Sequence, residues 1–168
     1  MKAFGALLVI AAAALLGQFA AAERERRVRE LGELLYGLAL LETEVVYGLT
    51  LLPVALERAA RGGAGAAVLF LTAARSLQEG AGASAAWQAG IRALRRRSAL
   101  REDDLAPLVY LGGALGLSSA VDQKRHLELA RRQVEAHLEA ERGRLPQAAR
   151  LARALCLCGG LVAALFLL

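Results

Sequence analysis

Apolar positions along this chain fall into three regimes. The first is an unbroken run, Ala3–Ala22, twenty residues without a charge, followed at once by Glu23-Arg24-Glu25-Arg26-Arg27. At about 1.5 Å per residue, a helix of that length covers about 30 Å, the hydrocarbon thickness of a bilayer. The second regime is periodic. Val28, Leu31, Leu35, Leu38, Leu41 and Val45 recur at intervals of three and four, the stripe of an amphipathic helix that continues from the first run. Tyr47-Gly48 is its stop signal. Thr50 is placed to cap a short second helix, Leu51–Arg61, with Pro53 in its first turn and Gly62-Gly63 after it.

A third helix is expected over Ala66–Glu79, with Val68, Leu69, Leu71 and Leu77 inward, closed by Gly80-Ala81-Gly82. Ser84 is read as the cap of a fourth, Ala85–Arg97, which buries Trp87, Ile91 and Leu94. A fifth opens at Arg101-Glu102-Asp103-Asp104, with acids against the positive end of its dipole and Leu105, Leu108, Leu111 and Leu115 as its stripe. Gly112, Gly113 and Gly116 would admit a close neighbour. Ser118 or Ser119 caps the sixth, Ala120 to about Arg142, with Leu127, Ala130, Val134 and Leu138 inward and Lys124, Arg125, Arg131 and Arg132 outward. The third regime is Ala154–Leu168, fifteen uncharged residues, eighteen if counted from Leu151 with Arg153 snorkelling.

The expected class is all-α, about six short helices forming a bundle between two terminal transmembrane helices. The divisions are residues 1–22, an N-terminal transmembrane helix, 23–150, a cytoplasmic helical bundle, and 151–168, a C-terminal transmembrane helix. Charge orients them. Arg24, Arg26, Arg27 and Arg29 follow the first run, against Lys2 in front; Arg142, Arg144, Arg150 and Arg153 precede the last, with nothing basic behind. Basic flanks stay on the cytoplasmic side, so both runs place the middle of the chain there. A cleaved signal peptide is the competing reading of the first run, since Ala20-Ala21-Ala22 is an acceptable cleavage site. The chain would then be a secreted helical binding module released after residue 22. The run is longer than the usual apolar core of a signal, and the arginines behind it oppose export.

Composition agrees with the class. The chain has 168 residues, 57% of them hydrophobic and 5% aromatic, with a formal net charge of +5. Ala, Leu, Arg and Glu dominate its middle and β-branched residues are sparse, which favours helix. The arginines are spread along the chain and flank both apolar ends, a distribution that a membrane surface accounts for at least as well as nucleic acid does. Arg95-Arg96-Arg97 with Trp87 is too thin a nucleic-acid footprint and reads better as a solvated helix end or a site for lipid headgroups or an acidic partner.

Catalytic chemistry finds few candidates. His126 and His137, about three turns apart on one helix, are read as solvated, and His137 with Glu141 lacks a third ligand. Cys156 and Cys158 lie in an apolar run at a spacing that suits neither a disulfide nor a zinc site. No phosphate-binding glycine loop with Lys-Ser/Thr is present, and no triad can be assembled. Asp103-Asp104 and the Glu42/Glu44 pair do not face each other on a helix and make no acid–base couple. The expectation is a chain that is not an enzyme and takes no cofactor. What remains is polar residues at two corners: Glu42, Glu44, Tyr47, Gly48 and Thr50 at the first, Gly116, Asp122 and Gln123 at the last. They serve either corner packing or the docking of a partner protein.

Several of these residues carry a resemblance. Arg29-Glu30-Leu31, the run Leu41-Glu42-Thr43-Glu44-Val45-Val46-Tyr47-Gly48-Leu49-Thr50, and Ala55-Leu56 resemble the opening of the stage III sporulation protein AB family. Trp87, Leu111-Gly112, Leu115-Gly116-Leu117-Ser118 and Gln123 fit its continuation. The likeness covers essentially the whole chain. It departs at Leu51, where the family usually has proline, and near Ser119, where it often has an acid. The resemblance implies a protein of endospore-forming bacteria in the mother-cell membrane around the forespore. It also implies a helical domain similar to type II secretion and type IV pilus platform proteins, and membership of a secretion-like channel. Its partners would be the cytoplasmic ATPase of that assembly and the channel's other membrane components.

Overall fold

The computed structural model describes the backbone of residues 2–115 and 122–143, and side chains from Gly17 onward within those ranges. It is all-α among the described residues: α1 (Lys2–Glu42), a π-helical turn (Thr43–Tyr47), α2 (Leu52–Ala59), a 3₁₀ turn (Ala60–Gly62), α3 (Ala64–Gln78), α4 (Ala83–Arg95), α5 (Glu102–Ala114) and α6 over residues 122–143. Six α-helices match the number expected from the periodicity. α1 passes Ala22 without a break, as the absence of Gly or Pro between Gln18 and Leu31 predicts.

No helix among the described residues is long and apolar enough to cross a membrane. Most of the first apolar run's side chains and all of the second run lie outside the described residues, as do Gly116, Ser118, Ser119, Cys156 and Cys158. The chain divides into two compact units, one made of Met1–Arg26 with Ala140–Leu168, the other of Arg27–Glu139.

The second unit is a helical bundle with one core. Leu31, Leu34, Leu38 and Leu41 of α1 meet Ala55, Leu56 and Ala59 of α2 and Leu69, Phe70 and Ala73 of α3. Trp87, Ile91 and Leu94 of α4, the four leucines 105, 108, 111 and 115, and Leu127, Ala130, Val134 and Leu138 of α6 complete it. α3 packs on α2 and α4, and α4 packs on α5. The inward stripes of α4, α5 and α6 are those the spacing predicts. On α1 the spacing omits Leu34, which is wholly buried, while Leu35 is only partly covered. On α3 it is one residue out: Phe70 is in the core and Leu71 is half exposed. In a stretch as apolar as Val68–Leu71 the helical period alone does not choose the inward side chain, and the aromatic bulk of Phe70 takes the place beside Trp87. Their rings lie edge to face, centroids 6.1 Å apart.

Trp87 fixes the α4–α5 contact. Its indole Nε1 donates to the Leu108 carbonyl at 2.8 Å, and its ring lies where a side chain on Gly112 would be. A Cβ there would stand 2.6 Å from Trp87 Cδ1. Gly112 therefore admits a ring, not a neighbouring backbone.

Two expected caps are corrected. Ser84 lies inside α4, whose N-cap is Gly82. Thr50 lies outside α2, whose N-cap is Leu51, with no side-chain cap bond. The first turn of α3 is closed from another helix instead. Glu33 of α1 accepts from the Gly65 and Ala66 amides at 2.7 and 3.2 Å, in the first turn of α3, which places a carboxylate at a dipole's positive end. Glu30 Oε2 accepts from the Ala99 amide, 2.7 Å away, before α5.

Candidate interaction surface at the first corner

The first corner begins where α1 widens. From Thr43 to Tyr47 the turn is π-helical, and the Gly48 amide donates back to the Thr43 carbonyl at 3.0 Å. Gly48 stays in the right-handed helical region (φ −81°), so it does not end the helix by a left-handed turn as its position suggests. That conformation falls on Leu49, φ 45°, the one non-glycine residue with positive φ among those described. Gly48 is required for a different reason. A Cβ there would stand 2.9 Å from the Glu44 carbonyl oxygen and 3.0 Å from Thr50 Oγ1.

Those two atoms belong to a brace across the corner. The Thr50 amide donates to the Glu44 carbonyl at 3.0 Å, and the Thr50 hydroxyl donates to Glu44 Oε2 at 2.7 Å. Arg58 of α2 donates to the same carboxylate oxygen at 2.7 Å. The Thr50 hydrogen bond, with Arg58 behind it, holds the Glu44 carboxyl below its ordinary range. Beside it Glu42, buried at the end of α1, accepts from Arg131 of α6 at 3.0 Å. Lys124 of α6 lies 5.7 Å from the centroid of the Tyr47 ring, a cation–π distance. Its interaction with Tyr47 raises the ammonium above its ordinary range.

Glu42, Glu44, Tyr47, Gly48 and Thr50 are thus brought together, and α6 closes on them through Lys124 and Arg131. Gln123, half-buried near the start of α6, is adjacent in sequence to Lys124, while Gly116 lies outside the described residues. Lys124 and Arg131, expected from their spacing to face water, are half-exposed groups engaged with the corner. The polar members brace one another, and the apolar ones face out: Tyr47 is 70% exposed, Leu49 83% and Leu51 77%. Such a cluster can present an apolar contact to a partner but holds no group placed for acid–base work. Among the described residues no set of three or more His, Cys, Asp or Glu could hold a metal ion.

A second polar constellation has no signature in the sequence. Asp104, wholly buried at the start of α5, accepts from Arg27 Nε at 2.7 Å and Nη2 at 2.8 Å, and from the Arg101 amide at 2.8 Å. His137 Nδ1 of α6 is 3.2 Å from Asp104 Oδ1. His137 is therefore engaged with Asp104 and not merely solvated. Burial pushes the Asp104 carboxyl up, but the Arg27 and Arg101 hydrogen bonds and the nearby positive charge outweigh it, leaving the group below its ordinary value. His126 instead sits beside Tyr110, ring centroids 5.7 Å apart. Asp103 faces solvent, so the adjacent aspartates part company as helix geometry requires.

Comparison with known proteins decides the relationship. The family model described as stage III sporulation protein AB matches residues 2–168. The chain belongs to the stage III sporulation protein AB family. A curated member, stage III sporulation protein AB of Bacillus subtilis (strain 168), is 28% identical over 150 residues, covering 88% of this chain and 85% of that protein. A solved structure, also described as stage III sporulation protein AB, superposes with a TM-score of 0.67 at 24% identity, over 71% of this chain and 96% of that one, and so shares its fold. Among the residues that carry the resemblance in the sequence, Leu41–Thr50 contain the braced first corner.

Proposed function

We propose that this family member is a non-enzymatic platform component of a secretion-like membrane channel that sustains forespore development during endospore formation. In this reading it is made in the mother cell and held in the membrane around the forespore by its two apolar ends, with residues 23–150 in the cytoplasm. The arginines behind the first run and before the last support that orientation. Family membership supports the sporulation role. Its partners are the channel's other membrane components and the cytoplasmic ATPase of the same assembly.

The observation that carries the docking role is the first corner. There Tyr47, Leu49 and Leu51 stand exposed on a framework whose ionic groups Glu42, Glu44, Arg58 and Arg131 are engaged with one another. Exposed apolar side chains on a rigid, internally satisfied support suit a protein contact, because binding then costs little ordering of the surface that binds. Membrane anchoring holds that surface in one plane and raises its effective concentration toward partners in the same assembly.

Photo-crosslinking in sporulating cells tests it. A photoreactive residue at Leu49 or Leu51 is expected to capture the ATPase, and one at Gln88, exposed on α4, is not. Capture from Gln88 but from neither corner position would reject the corner as the docking surface.

A further inference from the structure

Arginines also gather at the other end of the Arg27–Glu139 unit. The connection between α4 and α5 is fastened to the start of α1 in this unit at three points. Glu30 accepts from the Ala99 amide, Asp104 binds Arg27 through two nitrogens, and the Arg101 amide donates to that same aspartate. Residues 95–104 are thereby held against Arg27–Glu30. This region exposes Arg29, Arg95, Arg96, Arg97 and Arg101, while Glu30 and Asp104 are buried and engaged. The exposed acids here are Glu102, which pairs with Arg95, and Asp103. Positive charge is therefore in excess. No large apolar side chain is exposed in 27–30 or 92–104, unlike at the first corner.

Charge without an apolar centre is a poor protein interface, whose core draws on aromatic and apolar anchors. It suits a layer of phosphates. Along α1, Arg27 follows Ala22, the last residue of the first apolar run, by five residues, about 8 Å of helix. That is close to the depth of a headgroup layer outside the hydrocarbon. We propose that Arg29, Arg96 and Arg101 form a docking surface for the phosphates of anionic lipid headgroups, in the membrane that holds residues 3–22. The proposal rests on the membrane anchoring of the proposed function and adds to it a charge-dependent contact by the bundle. The contact sets how the bundle stands on the membrane, and lipid composition tunes it.

The test uses the full chain in nanodiscs of phosphatidylcholine, with or without phosphatidylglycerol, and follows amide hydrogen exchange over residues 96–101. Phosphatidylglycerol is expected to slow that exchange roughly fivefold or more, the equivalent of one arginine–headgroup contact. The difference should vanish in the triple variant Arg29→Gln, Arg96→Gln, Arg101→Gln and persist in Arg75→Gln, an exposed arginine near the end of α3. Circular dichroism checks that the triple variant is folded, and Arg96→Gln alone, at an exposed helix end, should already weaken the effect. Equal exchange in the two nanodiscs overturns the proposal. So does equal protection by inorganic phosphate over neutral lipid, which marks a free-phosphate site, or protection by a polyglutamate peptide but not by phosphatidylglycerol, which marks an acidic protein partner. Failure of the anchoring itself has a different signature: neither nanodisc retains the chain.

Discussion

Arg27 and Asp104, seventy-seven residues apart in sequence, form a two-point ion pair in the interior of the bundle, Nε to Oδ2 at 2.7 Å and Nη2 to Oδ1 at 2.8 Å. The aspartate is wholly buried and the arginine nearly so. Because Asp104 also accepts from the Arg101 amide and meets His137, this one carboxylate joins α1, α5 and α6. Asp104→Ala leaves the Arg27 guanidinium without that carboxylate and should destabilise the protein by about 3–5 kcal/mol. The double replacement Arg27→Met, Asp104→Ala removes both charges together and should cost less than either single change. Urea unfolding of the four proteins in the same detergent measures this. A double variant whose loss equals the sum of the singles would show that the two residues act independently.

The same carboxylate sets an acid limit. Its folded value lies below the ordinary 3.8, so folding favours the ionised form. The resulting stability is fully present above the ordinary value and is lost as pH falls through it toward the lower folded one. Asp104→Asn, which cannot titrate, should be less stable than the native chain at neutral pH and should lose less between about pH 5 and about pH 2. Unfolding midpoints across that range provide the comparison, and parallel profiles would assign the acid sensitivity to other groups.

Leu49 carries a left-handed backbone on an exposed side chain, a conformation that costs a residue with a Cβ about 1–2 kcal/mol. Leu49→Gly should relieve it, and after the added freedom of the unfolded glycine the net gain should be up to about 1 kcal/mol. If the corner is the docking surface, the same substitution should weaken capture of the ATPase, so stability and partner binding would move in opposite directions. A variant that is both less stable and equally well bound would refute both halves.

Topology has a direct check. A periplasmic-type reporter joined at any point in residues 60–140 should be inactive, and a cytoplasmic one active, if both apolar ends keep their arginine flanks inside. Activity of the first reporter would instead favour export of the bundle.

Much of the bundle was legible from spacing alone, because a single-faced helix with leucine every three or four residues has only one side to bury. Leu105, Leu108, Leu111 and Leu115 on α5, and Leu127, Ala130, Val134 and Leu138 on α6, are of this kind. Spacing failed where several apolar residues were contiguous, as at Val68–Leu71, and where a residue's partner is distant. Thr50 and Ser84 have the composition of caps, but Thr50 binds a carboxylate six residues back, and the first turn of α3 is closed by Glu33, thirty-two residues before Gly65. The corner residues were recognisable because they cluster in sequence. Arg27, Asp104 and His137 were not, since nothing local distinguishes them from neighbours such as Arg29 and Asp103, which are exposed, or from His126.

The π turn at Thr43–Tyr47 takes up more residues than an α turn would, and this makes the corner's facing a matter of phase. Each residue of an α-helix advances a side chain by about 100°, but a π turn spends about one residue more on the same rotation, so deleting one of these five would let α1 run on as an α-helix with Tyr47 and its successors facing much as before. Leu31–Leu41 would keep their places in the core. The wide turn thus absorbs a one-residue difference in length, and the corner keeps its aim through it.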